Sequence, residues 1–298
     1  MPDAPILSVQ TVLYQTEPSA VGRIAAAVAN SARWAIEAGQ ISAWQLAVGD
    51  SSEGPCLTGA EVEAIARTCA AEGGEFRYDF FNENLGHGGG HNRLATRSST
   101  DLLIFLNPDA LPAPDTITEL VRGLVDGVGA TDARQLPLEH PKGFDKGSLD
   151  ESWASGACLL TSRVIFDSIG GFDTETFFMY CDDVDYSWRV KLAGYRVVYS
   201  PAARVFHDKR LDDAGSYHPG DAEIYYSAEA AILLAHKYSN PRRVRSLIRR
   251  LRTEGSAPAL KAVNEYERRR DAGSLPTPID ADHRVAQFIG DNYATHRF

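Results

Sequence analysis

From residue 6 to residue 125 the chain alternates short apolar runs with segments of helical spacing, and that alternation leaves few folds open. Residues 6–13, 44–48, 76–81 and 101–106 read as strands, rich in branched and aromatic side chains, the last almost wholly apolar. Residues 21–38, 61–71 and 116–125 have the apolar spacing of helices. Strands that alternate with helices predict an α/β fold, a mostly parallel central sheet flanked by helices. After about Gly127 the alternation fades into a polar segment, 132–151. Helical and loop segments follow, including 182–193, then a strand over 195–200, and from about Ser216 the pattern is all-helical.

In such sheets ligands bind beyond the carboxyl ends of the strands. The unusual polar motifs fall there. Asp50 follows the second strand, the glycine-rich stretch from Asn84 to Asn92 follows the third, and Asn107-Pro108-Asp109 follows the fourth. Taken singly, each has a plain alternative: a helix cap for Asp50, a flexible turn before a helix over 93–98 for the glycines, a strand-ending turn for Asn107-Pro108-Asp109. Their convergence on one edge is the stronger signal. His207 ends a further apolar run, and a neutral imidazole there is either structural or a metal ligand.

Asp182, Asp183 and Asp185 stand directly behind the aromatic run Phe177-Phe178-Met179-Tyr180. Like charges this close repel, so a metal, a cationic side chain or a raised pKa must compensate. A solvated loop would not need the aromatic run, and the cluster reads as carboxylates held at the edge of a buried pocket.

At 298 residues the chain is long for one compact unit, and a smaller appendage is expected. The formal net charge of -10 argues against a nucleic-acid partner, although a bound metal ion can still favour a phosphate-bearing small ligand. Residues 1–14 lack the pattern of a signal peptide, and no run approaches the roughly 18 apolar residues of a membrane span. The cysteines Cys56, Cys69, Cys158 and Cys181 have no metal-binding spacing and read as free thiols, with the cytoplasm as the default compartment. Arg242, Arg243, Arg245, Arg249, Arg250 and Arg252, with apolar residues between them, form a basic amphipathic helix over 241–252. It reads first as a solvated face packed on the domain, with contact to anionic lipid or a lipid diphosphate as the sharper alternative.

Together these motifs resemble glycosyltransferase family 2, the inverting enzymes of GT-A fold, in its rhamnosyltransferase-like branch. The resemblance covers residues 6–208, with the motifs in family order. Gly49-Asp50-Ser51-Ser52 is similar to the family's base-binding turn, Asn84 to Asn92 to its glycine loop, and Leu106-Asn107-Pro108-Asp109 to the L-N-P-D form of its DxD motif. Ser155-Gly156-Ala157 and Gly170-Gly171-Phe172-Asp173 are similar to its acceptor-side motifs, and the carboxylate cluster to its F-x-Y-x-E-D-x-D.

The resemblance implies a GT-A domain over 1–215, with a nucleotide-binding half 1–110 and an acceptor half 111–215, and a helical C-terminal extension over 216–298. Asp183 would be the general base, with Asp182, Asp185, Trp153 and Gly156 on the acceptor side. Tyr14, Asp50, Asn84, Gly86, Gly90, Asn92 and Asn107 would hold the nucleotide and donor sugar, and Asp109 and His207 would bind Mg2+ or Mn2+. The charges of Asp182 and Asp185 would raise the basicity of Asp183, and Asp185 would also orient Arg189 one turn later. The implied reaction moves a sugar from a UDP- or dTDP-sugar to a saccharide or lipid-linked saccharide in cell-surface polysaccharide synthesis, at the inner face of the membrane. A homodimer is an allowed state.

Three positions depart from the family pattern. Asp182 replaces a usual Glu, Asn107 replaces the first Asp of the DxD motif, and His87 stands where an aromatic is common. Competing readings are a catalytically silent nucleotide-sugar-binding subunit on the same fold, a nucleotidyltransferase, or an NAD-dependent oxidoreductase. The lack of a first-strand dinucleotide fingerprint disfavours the last.

Overall fold

The computed structural model describes residues 4–208 and 218–297. The expected domain boundary at 215–216 falls outside them. The elements are β1 (Ile6–Leu13), α1 (Pro18–Glu37), β2 (Ala43–Asp50), α2 (Gly59–Ala71), β3 (Glu75–Phe80), α3 (Gly86–Ala95), β4 (Leu102–Leu106), β5 (Ala110–Pro112), α4 (Thr116–Gly123), β6 (Val128–Leu136), β7 (Cys158–Ser162), α5 (Arg163–Ser168), α6 (Asp182–Leu192), β8 (Arg196–His207), α7 (Asp221–Lys237), α8 (Pro241–Glu254) and α9 (Ala257–Asp271).

One sheet runs in the order β3-β2-β1-β4-β7-β6-β8-β5. The half built from β3, β2, β1 and β4 is parallel, as the alternation requires. The other half is mixed: β7 lies antiparallel between β4 and β6, β8 is parallel to β6, and β5 is antiparallel to β8. The chain directions follow from this pairing. The carboxyl ends of β1, β2, β3, β4, β6 and β8 share one edge of the sheet with the amino end of β7.

Local chemistry sets the elements. In α1 a proline at the first turn precedes Val21, Ile24, Ala25, Val28, Ala32 and Ala35, all buried on one face at helical spacing against the sheet. Helix α2 starts on a reciprocal cap: the Thr58 N–H donates to Glu61 Oε2 at 2.8 Å and the Glu61 N–H to Thr58 Oγ1 at 3.4 Å.

The glycine-rich stretch is a helix, not a loop. The Asn84 side chain accepts the Gly86 N–H at 3.2 Å, and α3 then runs through all the glycines. Glycine is needed there for close approach. A Cβ on Gly86, which sits at φ +67°, would lie 2.1 Å from the carbonyl oxygen of Phe178, and one on Gly90 would lie 2.6 Å from Val12.

The C-terminal helices share a core with residues 153–188. Ile232, Leu233, Leu247, Leu251, Ala262 and Val263 from α7, α8 and α9 pack with Trp153, Phe177, Val184 and Trp188. The extension is therefore built onto α6. In α8, Val244, Leu247 and Leu251 face inward. Arg243 and Arg250 bond Asp291, and Arg252 bonds Glu267, while Arg242, Arg245 and Arg249 lie exposed. No helix among the described residues is long and apolar enough to cross a membrane. All four cysteines are free thiols.

Candidate active site

The carboxylate cluster forms the first turn of α6, where the helix dipole and free backbone N–H groups favour negative charge. Entry into the helix is strained. Tyr180 and Cys181 both take left-handed backbone, φ 64° and 56°, which is unfavourable by about 1–3 kcal/mol each for bulky residues. Backbone N–H groups then turn onto the carboxylates: that of Asp183 donates to Asp182 Oδ1 at 3.1 Å, and that of Val184 to Asp183 Oδ1 at 2.8 Å.

Each aspartate has its own compensation. Asp182 accepts from His87 Nδ1 at 2.6 Å. Burial opposes a charge on His87, but the Asp182 carboxylate outweighs it and holds the imidazole above its ordinary pKa, with help from Asp183. His91, edge-on to His87 at 4.7 Å, is pushed well down by burial and then by the His87 charge, and stays neutral.

Asp185 is fully buried. It bonds Lys237 Nζ at 2.5 Å, Arg189 Nε at 2.7 Å and the Tyr238 hydroxyl at 3.1 Å. It therefore anchors α7 to α6, with its oxygens bonded to protein groups. The expected contact to Arg189 is present.

Among the described residues no cationic side chain is bonded to Asp183. Burial first, and then the charge of Asp182, push its carboxyl up to about 6, against the pull of the Gly156 N–H and of His87. Asp185 is itself matched by Lys237 and Arg189.

The amide of Gly156 donates to Asp183 Oδ2 at 3.0 Å. The next residue, Ala157, accepts the N–H of Asn107 on its carbonyl at 3.2 Å. Two consecutive residues of one turn thus join the Asp183 carboxylate to the start of the Asn107-Pro108-Asp109 turn. Pairing of Ala110 with His207 across β5 and β8 then sets Asp109 Oδ1 3.1 Å from His207 Nε2. Gln135 Oε1 accepts from His207 Nδ1 at 2.9 Å, which turns Nε2 toward Asp109.

The remaining expected residues divide. Asp50, at the end of β2, is fully buried and accepts from the Ser52 and Cys56 backbone N–H groups at 3.0 and 2.6 Å and from the Tyr78 hydroxyl. Burial works against its charge, but the bonds from Cys56, Ser52 and Tyr78 win and keep the carboxyl below the usual range. In this state it shapes the 51–56 turn.

Asn92 is spent on structure: its side chain donates to the Phe172 carbonyl at 2.8 Å and accepts the Phe172 N–H at 2.9 Å. Asn84, Gly86 and Gly90 cap or pack α3, as above. Tyr14 is exposed just beyond β1. The Trp153 indole is buried beneath Lys142, whose Nζ lies 4.3 Å from the ring centre. Sequence reasoning missed the roles of His87, Gln135, Lys142 and Lys237. For His87 the available signal was its departure from an aromatic; for the others the sequence carries none.

The donor set of Asp109 and His207, one carboxylate and one imidazole, suits Mn2+ better than Mg2+, which prefers oxygen alone. Among the described residues no group of three or more His, Cys, Asp or Glu side chains could hold a metal ion. Asp109 and His207 stand together as a two-residue donor pair.

The sheet order is that of a GT-A fold. The fold is similar to that of the mannosyltransferase PcManGT from Pyrobaculum calidifontis in complex with GDP-Man and Mn2+, with TM-score 0.57 and 16% identity over 89% of this chain and 80% of that one. It is also similar to GalNAc-T7 with UDP, GalNAc and Mn2+, with TM-score 0.61 and 12% identity over 92% of this chain and 56% of that one.

Residues 58–185 match the family model described as Glycosyl transferase family 2. It is 45% identical over 76 residues to the N-acetylglucosaminyl-diphospho-decaprenol L-rhamnosyltransferase of Mycobacterium tuberculosis strain H37Rv, covering 26% of this chain and 22% of that protein. It is 40% identical over 61 residues to the rhamnosyltransferase WbbL of Escherichia coli K12, covering 20% of this chain and 23% of that protein. The matches span less than a quarter of either relative's length.

Proposed function

We propose that this protein is a metal-dependent inverting glycosyltransferase that moves a sugar from a UDP- or dTDP-sugar to a saccharide or lipid-linked saccharide. The observation that carries the reading is the 156–157 turn, which holds Asp183 with one residue and the Asn107 turn with the next. Direct displacement needs a base at the attacking oxygen and charge neutralisation at the departing diphosphate, close together and on opposite sides of the anomeric carbon.

Asp183 takes the proton of the acceptor hydroxyl as its oxygen bonds the anomeric carbon and the bond to the diphosphate breaks. A carboxyl raised to about 6 is still mostly ionised at neutral pH and is a stronger base than an ordinary aspartate. Asp109 and His207 would hold Mn2+ or Mg2+, which when bound neutralises the diphosphate leaving group. Asp182, fixed by His87, faces the acceptor side. The names of the rhamnosyltransferase relatives support a deoxyhexose donor and a diphospholipid-linked acceptor in cell-surface polysaccharide synthesis. The exposed Arg242, Arg245 and Arg249 support contact with an anionic lipid surface at the cytoplasmic face.

A thermal-shift panel of UDP- and dTDP-sugars, with and without Mn2+, followed by transfer assays on the best donor, tests this. We expect stabilisation by one nucleotide sugar that requires Mn2+, and turnover on a saccharide acceptor. Stronger stabilisation by NAD would overturn the reading. Tight donor binding without turnover on any acceptor would favour a silent nucleotide-sugar-binding subunit.

A further inference from the structure

We propose that Lys142 is a positioning residue that holds the turn on which Asp183 and the Asn107 turn both depend. Its ammonium is buried in the acceptor half, away from solvent and outside every motif of the family. Its Nζ bonds Asp132 Oδ2 at 2.5 Å and the backbone carbonyl of Trp153 at 2.6 Å, and lies 3.1 Å from Glu151 Oε2. The other oxygen of Asp132 accepts the Ser155 N–H at 3.1 Å. One buried ion pair therefore grips the backbone on both sides of Ala154. The next two residues, Gly156 and Ala157, present the N–H to Asp183 and the carbonyl to Asn107.

Burial drives the Glu151 carboxyl well above its ordinary value, against the pull of Lys142. A buried pair of this kind adds little stability over apolar side chains of the same volume. What apolar side chains could not supply is a fixed donor and acceptor for the 153–155 backbone.

Lys142 is itself held by the C-terminal segment. The Arg297 N–H donates to the Pro141 carbonyl at 2.9 Å, Arg297 Nε to the Lys142 carbonyl at 3.0 Å, and Arg297 pairs with Glu139 at 2.8 Å. The end of the helical extension is thereby tied to the catalytic turn.

The consequence for rate rests on Asp183 being the base, so the test has an arm independent of activity. The variants are Lys142→Met and the double variant Lys142→Met with Asp132→Asn, which leaves no unpaired buried charge and keeps an acceptor for Ser155. Amide hydrogen exchange is followed at 152–158 and, as control, in α7 to α9. In the double variant we expect exchange at 152–158 to speed up at least about tenfold with the control helices unchanged. We expect kcat for transfer to fall by about a hundredfold with the donor KM within about threefold.

Unchanged exchange at 152–158, local loosening without loss of kcat, or equal loosening of the control helices would each overturn the proposal, the last by making the cluster merely structural. A wild-type protein with no transfer activity removes the proposed function, and the exchange arm still decides whether Lys142 fixes the turn.

Discussion

The backbone N–H of Gly156 points at Oδ2 of Asp183 from 3.0 Å, and the same residue is pressed against His87 from the other side. A Cβ on Gly156 would lie 3.0 Å from His87 Cε1 and 3.7 Å from Asp183 Cβ. Gly156 is thus the spacer between the carboxylate and the imidazole that compensates Asp182. Gly156→Ala should displace His87 by a few tenths of an ångström. We predict a drop in kcat of about tenfold, with a stability change of only about 1–2 kcal/mol, read from transfer kinetics and denaturant melts.

The acid limb of the pH–rate profile should report Asp183. A base must be ionised to act, so log kcat/KM should fall with unit slope below about pH 6. Folding stability responds to pH in the opposite sense. The folded-state value lies above the ordinary 3.8, so stability from protonated Asp183 is fully present below pH 3.8 and lost as pH rises through about 6. Asp183→Asn removes that penalty. The variant should be more stable than wild type by about 1–3 kcal/mol at pH 7.5, with the difference vanishing near pH 4. A pH series of thermal melts checks this.

His87 is a cation beside the Asp182 and Asp183 carboxylates. Its charge lowers the Asp183 pKa, while Asp182 raises it. His87→Phe restores the aromatic common in the family but leaves Asp182 without its ion pair. The first proton taken up by the two carboxylates should then bind at higher pH, and the acid limb of the rate profile should move upward. An unmoved limb would separate His87 from the base.

Lys237 bridges Asp185 at 2.5 Å and Asp173 at 2.7 Å, tying α7 both to α6 and to the Gly170-Gly171-Phe172-Asp173 turn. Lys237→Met strands a fully buried carboxylate with Arg189 as its remaining charge partner. Loss of about 3–5 kcal/mol is expected by urea unfolding, larger than for any single arginine on the exposed face of α8.

The Gln135–His207 bond should matter to metal binding in the donor-bound protein. Gln135→Leu removes the acceptor that orients the ring and should weaken Mn2+ binding by about 10–100-fold, measured by electron paramagnetic resonance with UDP or dTDP present. Asp109→Asn should weaken it at least as much.

The parallel half of the fold was legible because β1, β2 and β4 are buried apolar runs and α1 shows a clean helical stripe. Strand β6 was not, because Thr131, Asp132 and Gln135 are polar yet buried. They satisfy themselves through Lys142, His207 and backbone groups that sequence cannot show. Helix α3 read as a loop because its glycines suppress helix propensity. They are tolerated because Phe178 and Val12 fill the space a Cβ would take.

At the site, Asp183, Asp109 and His207 were recognisable as motif positions. Their compensating partners were not. His87 lies 95 residues from Asp182, and Lys237 approaches Asp185 from a helix with no motif of its own. Asp185 is paired with Lys237 and Arg189, neither of which its own sequence neighbourhood announces as a set.

The most direct test is the initial rate of sugar transfer by Asp183→Asn under saturating donor and Mn2+, alongside donor affinity measured by calorimetry. A general base at Asp183 predicts a loss of at least about a hundredfold in kcat with donor affinity retained. Transfer at the wild-type rate would contradict it and remove Asp183 from the chemistry.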